Sequence, residues 1–347
     1  MSAAQPRVSL LMPNRDNAPV LDLVLERLAT NSQYDNLELV VVDDGSVDDS
    51  RAILRRWRDS GRFPDFQLIE REQSGVIETL NAGLEAATGE FIVQLDGDAS
   101  VETPGWVRRM VDFMLIDDRV GVVTAKIVFD WGEIHTCGTD VVGPTGFHDR
   151  GAEITEPVGR RRYHQRIVRR REGECPECDE PAEVDCGIGC CMMYRRDVAL
   201  ELGGYDPGWA PVWFDDLDLT LCMRRQGLKV FYLPDVRVIH HVGIRLEEDP
   251  APIRAAWAVR RRIGSVLPPR TRKRISQRLN LELPPRPVWE RLQHHYGYWR
   301  EKWGFDMLNP DMDEVQRLWG STEICWATNP EMREAGERIA REYGERA

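Results

Sequence analysis

Up to Phe129, apolar residues fall into short runs separated by stretches that carry only one apolar face. RVSLLMP (Arg7 to Pro13) and LELVVVDD (Leu37 to Asp44) predict strands, because each is an apolar run of strand length. Between them Val20, Leu21, Val24, Leu25 and Leu28 recur at helical spacing. FQLIE (Phe66 to Glu70) and EFIVQL (Glu90 to Leu95) repeat the arrangement, with a helix through Leu80 and Leu84 that Gly89 can close. A last run, GVVTAKIVF (Gly121 to Phe129), follows another helical stretch. Such alternation predicts an α/β protein with a mainly parallel sheet flanked by helices.

From Trp131 to Asp185 the texture changes to Gly, Pro, Arg and Glu with little periodicity, which reads as a loop-rich insertion. CCMMYRR then predicts a buried strand, Leu217, Leu219 and Leu221 mark a helix, and KVFYLP and VRVIHHVG read as two short strands. Beyond about Pro250 the chain is helical and aromatic, with Trp257, Trp289, Trp299, Trp303, Trp319 and Trp326, and Pro284-Pro285 interrupts it. The expected organisation is one domain over residues 1–250, holding a Cys-containing insertion at 131–185, and a helical Trp-rich appendage over 251–347. No internal repeat is visible.

Hydrophobic residues at 42% and charged residues at 30% give the balance of a globular protein. No apolar run approaches the roughly 18 residues that cross a bilayer, and MSAAQPR lacks a hydrophobic signal core, so a cytoplasmic setting is expected. A formal charge of -12 opposes a general nucleic-acid binder, since a phosphate backbone would be repelled. Basic clusters at Arg160 to Arg162, Arg169 to Arg171, Arg260 to Arg262 and Arg270 to Arg274 read as solvated faces or as a peripheral contact with the anionic inner membrane face.

Eight cysteines without a secretion signal argue against a disulfide framework. CPEC gives Cys175 and Cys178 the spacing of a zinc knuckle, and Cys186, Cys190 or His164 can complete a tetrahedral structural Zn²⁺ site. Cys190 and Cys191 also lie in CCMMY, where free cysteine acts as a small hydrophobe, so both readings stand.

The sharpest chemical signal is EFIVQLDGDA (Glu90 to Ala99), where a buried run ends in Asp96 and Asp98. Open α/β sheets place ligands at strand exits. Two converging carboxylates repel unless they share a cation, and Mg²⁺ or Mn²⁺ prefers a few carboxylates plus phosphate oxygens, which suggests a metal-bound nucleotide diphosphate. A solvated Asp-Gly-Asp turn is the alternative. MPNRDN (Met12 to Asn17), Asp43-Asp44-Gly45-Ser46, FDDLDL (Phe214 to Leu219) and His240-His241 also fall at strand exits or a helix start. Each has a local alternative: Asn17 or Ser46 as a cap, acids complementing a helix dipole, a structural histidine. Their order along one sheet makes a constellation that separate turns do not explain.

MPNRDN, VVVDDGS, TLNAGLEAATGEFIVQLDGD, GGYD followed by FDDLDLTLCMRRQG, and VIHHVG occur in that order, and over about Val8 to Gly243 the chain resembles family 2 glycosyltransferases. The resemblance implies a GT-A fold, a Rossmann-like sheet that binds a sugar nucleotide with metal at a DxD motif. Carried over, Asp96 and Asp98 are the metal pair, with Asp98 the direct ligand, and His240 or His241 completes the metal and diphosphate site. Donor contacts fall on Pro13, Asn14, Arg15, Asp16, Asp43, Asp44, Gly75, Asn81, Asp96 and Gly97, with Asp44 beside Asp43 addressing base and ribose. Asp216 is implied as general base, and Asp215 departs from the family's usual Glu at the preceding position. The CPEC insertion and the Trp-rich tail are further departures.

The resemblance implies a metal-dependent inverting glycosyltransferase acting on a nucleotide-diphosphate sugar, with hexosyl or deoxyhexosyl transfer. Asp216 takes the proton of an acceptor hydroxyl as one displacement occurs at the anomeric carbon. The expected acceptor is a saccharide, a lipid-linked sugar or a protein, as in surface glycan or glycoconjugate synthesis. Arg15, Arg71 and Lys126 are candidates to face the diphosphate, and Trp209 and Trp213 either support a sugar ring or pack in the core. Two other readings are a sugar-nucleotide nucleotidyltransferase, which lacks a glycine-rich, lysine-bearing phosphate loop here, and a zinc-organised non-catalytic binding module.

Overall fold

The computed structural model describes residues 5–142, 146–149, 170–242 and 286–307. Its first elements follow the predicted alternation: β1 (Val8–Asn14), α1 (Ala18–Asn31), β2 (Leu37–Asp44), α2 (Ser50–Asp59), β3 (Phe66–Arg71), α3 (Val76–Ala86) and β4 (Phe91–Leu95). Then come β5 (Ala99–Val101), α4 (Trp106–Met114) and β6 (Val120–Phe129). Every residue of β1, β4 and β6 is buried, as expected for strands covered on both faces. Helix α1 turns Val20, Leu21, Val24, Leu25 and Leu28 inward, the face its spacing predicts.

The insertion contains more strand than expected: β7 (Ile134–Thr136), β8 (Thr139–Val142), β9 (Gly146–Asp149) and β10 (Ala182–Val184). Runs of three or four residues are too short to leave a periodic signal. After it come β11 (Cys191–Arg195), α5 (Arg196–Glu201), α6 (Asp215–Arg225), β12 (Lys229–His240) and α7 (Arg286–Trp303). The two strands expected after α6 are one, with a shift of register against β6 between Leu233 and Arg237, around Pro234. A proline has no N–H for a ladder, so the strand is interrupted there without ending.

The described residues form a ten-stranded sheet of order β10-β12-β6-β11-β4-β1-β2-β3, with β5 paired to β12 and β7 to β6. Strands β3, β2, β1 and β4 run parallel, β11 is antiparallel to both β4 and β6, and β12 is parallel to β6. Two antiparallel pairings carry distant sequence to the exit of β4. Cys191 lies opposite Leu95, so residue 190 meets residue 96, and His240 lies opposite Ala99.

The appendage is represented by α7, which buries Leu292, His295, Tyr296, Trp299 and Trp303. Trp209 packs edge-on against Tyr298, ring centroids 4.7 Å apart, and lies 5.9 Å from Trp299. Lys302 Nζ and Trp303 Nε1 donate to Asp218 at 2.7 and 2.8 Å, which ties α7 to α6. Trp257, Trp319, Trp326, Pro284, Pro285, His164 and the basic clusters lie outside the described residues, except Arg170 and Arg171 of the second cluster. Among the described residues no helix is long and apolar enough to cross a membrane.

At the opposite end of the sheet, buried Glu38 accepts from the backbone N–H of Thr88 at 2.6 Å and of Gly89 at 3.1 Å, and from Ser9 Oγ. Burial raises its carboxyl, but these donors and Arg7 outweigh it and hold the carboxyl below the usual range. A folded-state pKa below the unfolded one gives stability that is present above the unfolded value and lost as pH falls through the folded one. Replacing Glu38→Gln is therefore expected to cost about 1–3 kcal/mol at neutral pH, and the deficit shrinks in acid. Denaturant unfolding of both proteins across pH 3–7 checks this, and a deficit independent of pH contradicts it.

Candidate active site

Asp96 and Asp98 follow β4 on a turn pressed against the exit of β1. A Cβ on Gly97 would lie 2.6 Å from Asn17 Nδ2 and 3.0 Å from both Asn14 Oδ1 and the Pro13 carbonyl, so only glycine fits. His240 Nε2 stands 3.2 Å from Asp98 Oδ1 and 3.7 Å from Asp96 Oδ2. One ligand atom each from Asp96, Cys190 and His240 lies within 4.8 Å of the others. Asp96 N donates to the Cys190 carbonyl at 3.2 Å, fixing the thiol beside the carboxylate.

Of the two histidines expected here, the structure brings His240 to the carboxylates. His241 N donates to the Asp98 carbonyl at 2.8 Å, while its ring turns to Ser100 Oγ at 3.0 Å. The His240 ring stacks on His135, centroids 5.4 Å apart, and His135 stacks on Phe129 at 4.4 Å. The Nδ1 atoms of the two histidines are 3.4 Å apart, so His135 orients the ring that offers Nε2 to the cleft. Carboxylate oxygen, imidazole and thiol together form a donor set for a divalent ion.

Helix α6 presents its acids to the same place. Trp213 and Phe214 precede it with φ of 84° and 68°, left-handed values that are unfavourable for aromatic residues. The strain is held by packing: Phe214 is buried against Trp209, His295 and Tyr296, and His295 Nε2 meets the Val212 carbonyl at 3.0 Å. Asp216 accepts from Gly189 N and Leu217 N, both at 2.8 Å. Gly189 adjoins Cys190, so acid motif and metal candidates share one backbone link. Burial pushes both Asp215 and Asp216 above the usual carboxylate range, and the negative charge of Asp96 adds to this. The charge of Asp216 raises Asp215 further, whereas two N–H donors draw Asp216 back down.

The residues expected to hold a donor are distributed unevenly. Asp43 is fully buried and accepts from Asn14 Nδ2 at 2.8 Å, Ser46 N at 3.1 Å and Arg51 Nε at 2.7 Å. Asp44 accepts from Ser74 N at 2.6 Å and Gly75 N at 3.0 Å, bracing the turn into α3. Asp16 caps Val47 N at 2.7 Å, with Arg15 Nε 3.6 Å from its other oxygen. Both ends of the Asn81 amide bond the Tyr205 backbone at 2.8 Å, so Asn81 fixes the GGYD turn. Lys126 pairs with Asp179 of the insertion, Arg71 donates to the Glu78 carbonyl at 2.8 Å, and Trp209, of its two expected roles, takes core packing, fully buried under α7.

The four cysteines expected at one zinc site divide among three surroundings. Cys175 and Cys178 are disulfide-bonded, Cys186 lies by the Thr220 hydroxyl, and Cys190 faces Asp96 and His240. The sequence treated Cys190 as a zinc ligand or a hydrophobe and gave no signal for His135. Both omissions concern antiparallel pairings that residue patterns do not encode.

The family model described as "Glycosyl transferase family 2" matches residues 9–203. The O-antigen biosynthesis protein RfbC of Myxococcus xanthus is 25% identical over 260 residues, covering 73% of this chain and 18% of that protein. The chain thus spans less than a third of the length of this curated relative. A mannosyltransferase of Pyrobaculum calidifontis, solved in complex with GDP-Man and Mn²⁺, aligns with TM-score 0.50 and 18% identity over 97% of this chain and 85% of that one. GalNAc-T7, solved with UDP, GalNAc and Mn²⁺, aligns with TM-score 0.54 and 17% identity over 74% and 48%. The central, mostly parallel sheet flanked by helices is the GT-A fold.

Because Gly97 has no room for a methyl group, Gly97→Ala is expected to displace the Asp96–Asp98 turn and cost about 1–3 kcal/mol. Thermal unfolding with and without Mn²⁺ checks this. The variant should melt lower and gain less from the ion, and an unchanged profile contradicts the packing argument.

Proposed function

The chain belongs to glycosyl transferase family 2, and on that premise we propose that it is a metal-dependent, inverting enzyme moving a sugar from a nucleoside diphosphate to an acceptor hydroxyl. The observation that carries this reading is the meeting of Asp96, Asp98 and His240 with Asp216 across the Gly189–Cys190 link. Asp96, Asp98 and His240, with Cys190 beside them, would hold a divalent ion, whose charge would neutralise a departing diphosphate. Gly97 brings the Asp96–Asp98 turn close to β1, where Asn14 and Asp43 keep the exit of the first two strands rigid. Asp216 accepts the proton of the acceptor hydroxyl while that oxygen attacks the anomeric carbon. One displacement inverts the anomeric configuration and needs no covalent intermediate.

Nucleotide diphosphates with Mn²⁺ in the mannosyltransferase and GalNAc-T7 structures support the donor class and the choice of ion. The name of the Myxococcus relative supports an acceptor in surface glycan synthesis, a saccharide or lipid-linked sugar. Trp213, half-buried with Arg291 5.4 Å from its ring centre, is the aromatic residue left beside the acid motif for contact with a sugar.

Asp216→Asn should lower transfer by about 10²–10⁴-fold while leaving nucleotide affinity within about threefold. Turnover of a UDP-, GDP- or dTDP-sugar chosen by thermal stabilisation, with calorimetry of the matching nucleotide, tests it. Equal loss of transfer and binding contradicts the role of Asp216. Chelation should abolish turnover and Mn²⁺ restore it, and full activity in chelator removes the ion from the mechanism.

A further inference from the structure

Away from the transfer site, three cysteines of the insertion meet. Cys175 precedes the tight turn Pro176–Asp179, Cys178 lies within it, and the two are bonded to each other. Cys137, from the segment just after β7, places its Sγ 2.9 Å from Cys178 Sγ. All three are fully buried. A disulfide joins two sulfurs and leaves the third thiol against the pair. The C-x2-C spacing on a turn, with a further cysteine brought in from a distant segment, is the arrangement of a zinc knuckle, in which thiolates surround the ion at about 2.3 Å.

We propose that Cys137, Cys175 and Cys178 in their reduced state bind one Zn²⁺ through three thiolates, with a fourth ligand completing the tetrahedron. The sulfurs are thiols as synthesised, so zinc entry releases their protons and needs no reductant. The disulfide is what two of the same sulfurs form on oxidation. The backbones that carry them are already anchored. Cys178 N donates to the Cys175 carbonyl at 2.9 Å, and Tyr232 Oη donates to the Cys178 carbonyl at 2.6 Å. Gly138, at φ +90°, lies so close to Val184 that a Cβ would approach it to 2.6 Å, which fixes Cys137 against β10. Lys126 pairs with Asp179, next to Cys178, and so anchors the turn to β6.

The position explains what such an ion would do. The insertion is short of regular structure, and zinc there joins the β7 side to the turn before β10. Cys137 is two residues from His135, whose ring orients His240. Zinc occupancy of this site can be tested without any glycosyl acceptor.

The full chain, purified under reductant without chelator, is analysed for metal by mass spectrometry and for cysteine accessibility by alkylation. About one zinc per chain is expected, with Cys137, Cys175 and Cys178 protected together and exposed together when zinc is stripped. Cys137→Ser should lower zinc affinity by about tenfold or more, while Cys222→Ser keeps it. Only trace zinc in folded, reduced protein overturns the proposal, as does full retention by Cys137→Ser. If Cys137→Ser does not fold, the wild-type alkylation pattern decides: independent labelling of the three cysteines in zinc-containing protein also overturns it.

Discussion

Four carboxylates, Asp96, Asp98, Asp215 and Asp216, are drawn toward one region of a chain that already carries a formal charge of -12. In the low dielectric of a partly buried cleft their mutual repulsion favours protonation or a shared cation. Burial and the charge of Asp96 raise both members of the acid pair, which is the first response. The imidazole of His240 and the thiol of Cys190, grouped with Asp96, provide for the second. Everything that makes this region a site is an arrangement for bringing those groups together and holding them there.

The gathering is done by strand direction. A wholly parallel sheet would have left residue 190 at the far end of its strand, but antiparallel β11 starts where β4 ends. The pairing of β12 with β5 brings His240 level with Ala99, one residue beyond Asp98. On the other side, α7 neutralises the acids that the site does not use. Asp206 and Asp218 both bond Lys302, and Asp218 also takes Trp303 Nε1. The aromatic packing of α7 holds the left-handed Trp213–Phe214 step that aims the first turn of α6.

Much of the fold is legible because β1, β2 and β4 are almost wholly buried runs separated by one-faced helices, and burial on both sides of a parallel strand leaves that mark, whereas β3 at the sheet edge has no buried residue. Asp96, Asp98 and His240 were legible because they end such runs. The direction of β11 is not legible, since CCMMYRR reads the same whichever way it pairs, so the sequence leaves Cys190 open between a zinc ligand and a small hydrophobe and does not place it beside Asp96 and His240. His135 lies on a three-residue strand with no pattern of its own. Proximity to the acid motif leaves Trp209 open between a sugar platform and core packing, and α7, some 80 positions later, decides for the core by covering it completely. Asp43 illustrates a further limit: a carboxylate at a strand exit reads as a ligand contact, yet here its oxygens hold Asn14, Ser46 and Arg51.

The central claim is that the carboxylates at the exit of β4 and the imidazole of His240 share a cation. Electron paramagnetic resonance of Mn²⁺ titrated with protein, in the presence of UDP or GDP, tests it most directly. The account predicts loss of the free-ion signal with the wild-type chain, and its retention with Asp98→Ala and with His240→Ala. Equal binding of Mn²⁺ by the wild type and both variants would place the ion elsewhere and contradict the account.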